Sequence, residues 1–104
     1  MTNDEEKKME ITNVKITDLI PNEKNPRKIS KSEMTKLMRS IKEFNFVDPI
    51  IVNKHQTRNN IVVGGHQRLK AAIKLGMKEV PVTYVDIPED EESLLALQPQ
   101  EEYV

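Results

Sequence analysis

The chain has 104 residues, 37% hydrophobic and 32% charged, enough apolar material for one domain with a modest core. It has no cysteine, which excludes disulfides, thiolate metal sites and cysteine nucleophiles, and no apolar run nears the ~20 residues of a membrane span. The net charge of −1 hides three blocks, −3 over residues 1–23, +10 over residues 24–78 and −8 over residues 79–104. A middle this basic points to an anionic partner unless the acidic ends fold back over it.

In chain order, residues 1–9 are polar and aperiodic and read as a disordered tail. Their acidic start lacks the apolar core of a signal peptide, so a soluble cytoplasmic protein is expected. Ile11, Val14 and Ile16 predict a short strand through about Ile16, although the step from Ile11 to Val14 breaks strict alternation. Two prolines and two asparagines between Pro21 and Lys28 mark a loop, with Arg27 and Lys28 at its end. Ser30 and Glu33 have capping-box spacing. Met34, Leu37, Met38, Ile41 and Phe44 recur at helical intervals, predicting an amphipathic helix over about 31–44. That stripe is expected in the core, with Lys36, Arg39 and Lys42 facing outward.

Residues 50–53 and 61–63 predict a hairpin around the turn Thr57-Arg58-Asn59-Asn60, with His55 exposed near its tip. A second helix follows, its buried side marked by Leu69, Ala72, Ile73 and Gly76, with Gly76 just past its end. Residues 80–85 read as a strand that tolerates Pro81 near its start. The acids after Pro88 open a short helix through Leu97, stopped by Pro99, and residues 99–104 read as a loose tail. The expectation is one α+β domain over residues 10–98, a small mixed sheet with two to three helices.

The most informative stretch is Ile61-Val62-Val63-Gly64-Gly65-His66-Gln67-Arg68-Leu69-Lys70-Ala71-Ala72. Strand, glycine turn and helix N-terminus together make a seat for an anion, because the first helical amides are unpaired and the dipole is positive there. Arg68 opposes that dipole by ~0.3–1 kcal/mol, a placement that makes sense if a phosphate lies between guanidinium and amides. The plain alternative is a solvated arginine, with Gly64 and Gly65 only turning the chain.

From Gly65 to Ala72 the chain resembles the N-terminal domain of the partition protein ParB, whose signature is glycine-acid-arginine-arginine. Gly65 and Arg68 match its first and last residues, and His66 and Gln67 replace the middle two. Sulfiredoxin shares the fold and carries Gly-Gly-Cys-His-Arg. Gly64, Gly65 and Arg68 match that motif, but His66 stands where its cysteine should be. Asn25-Pro26-Arg27-Lys28, Ser40-Ile41-Lys42-Glu43, Pro49-Ile50-Ile51-Val52 and Gly76 through Val82 follow the family's order.

The resemblance implies a ParB/sulfiredoxin-like fold that binds CTP, or ATP as in a related free-serine kinase, with magnesium. Carried over by position, Gly64, Gly65, His66, Gln67 and Arg68 line the phosphate pocket and Arg27 approaches from the loop. It implies a role in plasmid partition or with mobile elements. Two other readings stand beside the nucleotide module. One is a nonspecific DNA-binding or nuclease-like protein using the basic block of residues 24–78. The other is a phosphotransferase, with Glu23, Asp48 or His66 as base. Any enzyme activity is limited to triphosphatase, phosphotransferase or weak nuclease chemistry. Asp48 alone makes a poor metal site, so no metal ligands are assigned. A homo-oligomer and a separate partner protein both fit the sequence.

Overall fold

Strand β1 is shorter than its apolar pattern suggests. In the computed structural model, which describes residues 10–22 and 28–96, β1 runs Thr12–Lys15 and the chain then winds into a 3-10 turn over Ile16–Asp18. Ile11 lies outside the strand and is 61% exposed. The turn buries Leu19 and half-buries Ile16, which explains the broken alternation.

Helix α1 spans Lys31–Phe44, the predicted range. Its capping box is formed: Glu33 N donates to Ser30 Oγ at 3.1 Å, and Ser30 N donates to Glu33 Oε1 at 3.1 Å. Leu37 and Ile41 are buried and Met34 and Met38 half-buried, as expected. Phe44 corrects the expectation, since it is 70% exposed. Asn45 ends the helix at φ +67 and swings the next residue inward, so Phe46 packs into the core in place of Phe44.

Strands β2 (Ile50–Asn53) and β3 (Ile61–Gly64) form the predicted antiparallel hairpin. Its turn is better ordered by side chains than expected. His55 is half-buried, its Nδ1 lies 2.9 Å from Thr57 Oγ1, and its backbone N–H donates to Asn53 Oδ1. Helix α2 (His66–Lys74) leads to β4 (Glu79–Val85), then a 3-10 turn over Glu89–Glu91 and the short helix α3 (Glu92–Ala96). The sheet order is β1-β4-β2-β3, with β4 parallel to β2 and antiparallel to β1. Ile20 bridges the outer side of β3 through Ile20 N to Asn60 O and Val62 N to Ile20 O.

One core joins the sheet to α2 through Leu19, Ile50, Val52, Val62, Leu69, Ala72, Val80 and Val82. A second joins α2 to α1 through Leu37, Ile41 and Ala71. Helix α2 is therefore wedged between sheet and α1, which buries Gln67, Arg68, Leu69, Ala71 and Ala72. Ile73, expected inside, falls on the narrow remaining face and is 52% exposed. Gly76 ends the helix as predicted, at φ +79, but is exposed. The mixed sheet with three helices is the α+β fold anticipated; the expected tails, residues 1–9 and 99–104, lie outside the described residues.

Candidate functional site

The two glycines do different work. Gly64 closes β3 opposite Ile51, and a Cβ there would stand 3.0 Å from Ile51 Cδ1. Gly65 is the N-cap of α2 at φ +84, ψ 29, in the left-handed region that favours glycine. A Cβ on Gly65 would stand 3.0 Å from Arg68 Nη2 and 3.2 Å from Ile50 Cδ1. The chain thus leaves the sheet through a turn in which an added methyl group would sit tight against the ends of Arg68 and Ile50.

His66 begins the helix half-buried, and Gln67 is buried. Arg68 is 4% exposed, so the solvated-arginine alternative is excluded. Its guanidinium folds back beside Gly65 and donates from Nη2 to Pro49 O at 3.2 Å. Local geometry brings Gly64 through Arg68 together, with the arginine over the helix start and no acid in the first turn. Arg27 and Glu23 lie outside the described residues. Asp48 is half-buried, and among the described residues no three His, Cys, Asp or Glu side chains gather where a metal could sit.

The basic block divides between two surfaces. Lys31, Lys36, Arg39 and Lys42 on α1 and Lys70 and Lys74 on α2 are exposed, and both helices lie on one face of the sheet. The acidic segment folds onto the hairpin instead. Arg58 donates from Nε to Glu92 Oε2 at 3.0 Å and from Nη2 to Glu92 Oε1 at 2.9 Å, and its Nη1 lies 3.7 Å from Glu89 Oε2. Asn53 Nδ2 donates to Glu92 Oε2 and to Ile87 O, both at 2.8 Å, and Asn22 Nδ2 donates to Glu92 Oε1 at 3.4 Å. The Glu92 hydrogen bond, with the carboxylate's charge behind it, raises the Arg58 pKa against the opposing pull of burial.

Sequence reasoning missed this second polar centre. Arg58 reads as a turn residue and Glu92 as one acid in a run, and a separation of 34 positions leaves no local pattern to join them. The one available signal is a buried-strand position, Asn53, ending an apolar run with a side chain that needs partners.

The Campylobacter jejuni protein named Probable chromosome-partitioning protein ParB is 39% identical over 93 residues, covering 86% of this chain and 32% of that protein. The chain spans about a third of the length of the curated relatives it matches. Among solved structures, C-terminally truncated ParB from Caulobacter crescentus complexed with CTP-γ-S superposes with TM-score 0.71 at 22% identity, covering 88% of this chain and 55% of that one. Sulfiredoxin from Arabidopsis thaliana superposes with TM-score 0.69 at 17% identity, covering 86% of this chain and 99% of that one. Both likenesses show the fold. The ParB N-terminal domain model matches residues 1–100, and the chain belongs to that family.

Proposed function

We propose that this domain binds a nucleoside triphosphate within a DNA-partition protein. The phosphates sit at Gly64, Gly65, His66, Gln67 and Arg68, with Arg27 approaching from its loop. One observation carries the reading: Gly65, at φ +84, hands β3 to α2 while the buried Arg68 guanidinium lies against the same turn. The left-handed turn at Gly65 aims the start of α2 at the site, the first helical amides supply donors, and the planar guanidinium fork suits phosphate oxygens. CTP is the favoured nucleotide because the Caulobacter relative is complexed with CTP-γ-S; ATP is the competitor to test. Magnesium, in this reading, arrives on the nucleotide's own phosphate oxygens rather than in a protein cage.

The test is thermal unfolding with CTP, ATP, GTP and UTP, each with magnesium. A ligand at 100 times its Kd adds about 2.7 kcal/mol to the native state, which moves Tm by roughly 10 °C in a domain of this size. CTP is expected to give that shift and Arg68→Lys to shrink it, because lysine keeps the charge and loses the fork. No shift with any nucleotide, or an undiminished one in Arg68→Lys, overturns the proposal.

The exposed lysines and arginine of α1 and α2 favour a second contact, with a nucleic-acid backbone. Duplex DNA of any sequence is then retained in a gel at low salt. The logarithm of its affinity falls against the logarithm of salt with a slope near −0.9 for each phosphate met. Affinity that ignores salt rejects this contact.

A further inference from the structure

Helix α3 is attached to the domain in an unusual way. Of residues 92–95, Glu92 is buried and Leu95 half-buried, while Ser93 and Leu94 are exposed, Leu94 by 63%. The segment before it, Pro88 through Glu91, is exposed throughout. Among the described side chains, apolar burial therefore contributes little to holding α3. Its polar attachment centres on one carboxylate gripped from three separate parts of the chain: Arg58 in the hairpin turn, Asn53 at the end of β2, and Asn22 beyond the Ile20 bridge. Asn53 also clasps the approach to α3 through Ile87, donating to its carbonyl at 2.8 Å and accepting from its N–H at 3.3 Å.

We propose that Glu92 is the central latch of residues 86–96, and that this segment opens and closes as one unit while the sheet, α1 and α2 stay folded. The physical basis is an asymmetry of cores. The sheet, α1 and α2 share the two apolar clusters, and no described α3 side chain belongs to either. A paired, hydrogen-bonded carboxylate is held firmly by its full set of partners, but losing one partner strands buried polar groups and releases the set together. Arg58 stays ionised at any pH the fold survives, so the latch responds to whatever competes for Glu92 or for the guanidinium.

Hydrogen exchange read by mass spectrometry on the full chain tests this. In the unmodified protein, exchange over residues 86–96 should respond weakly to low urea, the mark of local opening, while α2 amides respond with the slope of global unfolding. Glu92→Ala should speed exchange over residues 86–96 by at least about tenfold and leave α1 and α2 within about twofold. Glu92→Gln, which keeps the shape and loses the charge, should fall between. Equal acceleration everywhere, a chain that no longer folds, or an unchanged rate over residues 86–96 each overturns the latch.

Discussion

Gly65 and Gly76 share a positive φ, yet only one is predicted to be hard to replace. At Gly76 nothing lies within 4 Å of an added Cβ, so Gly76→Ala meets only the left-handed backbone cost, about 1–2 kcal/mol. At Gly65 the same cost is joined by contacts of 3.0 Å and 3.2 Å with Arg68 and Ile50. Gly65→Ala should lose about 1 kcal/mol more in urea unfolding and also blunt the nucleotide shift, which Gly76→Ala leaves alone. Equal losses from both would mean the packing at Gly65 relaxes freely. Gly65 and Arg68 could be paired from sequence because both lie in one turn of chain. That Arg68 would be buried could not be read locally, since the Pro49 carbonyl its guanidinium meets lies 19 residues earlier in the chain.

Among the elements, α1 was legible to the residue, because its stop and start are written locally in Ser30, Glu33 and a helical apolar period. Ser30→Ala should cost about 1 kcal/mol and lower Tm by several degrees without touching nucleotide binding. The face of α2 was misjudged at Ile73 because a helix covered on two sides has no single apolar stripe to announce it. Phe46 takes the inward place expected of Phe44 because a positive φ at Asn45, rather than the period, sets which ring turns inward. Helix α3 makes a prediction about pH. The Arg58 pKa is raised, so its share of stability is complete below the unfolded arginine value and is lost only as pH climbs through the still higher folded one. Exchange over residues 86–96, corrected for its intrinsic pH dependence, should therefore be flat from about pH 6 to about 9; a rise within that window would implicate a different titrating group.

For the molecule as a whole, β2 and β3 carry a polar centre at each end. Pro49, Gly64 and Gly65 with Arg68 form one, and Asn53 and Arg58 with Glu92 form the other. The glycine centre was visible in sequence as a strand running into a helix. The other required a fold, because only sheet topology carries residue 92 back to residue 58. That topology has a consequence for synthesis. The strand at the heart of the sheet, β4, pairs with both β1 and β2 and is synthesised after the other three described strands. A nascent chain halted before Glu79 leaves β1 without its partner strand and the first apolar cluster without Val80 and Val82. Closure of the described sheet thus waits on the seven residues of β4, whose pairings with β1 and β2 are both non-local.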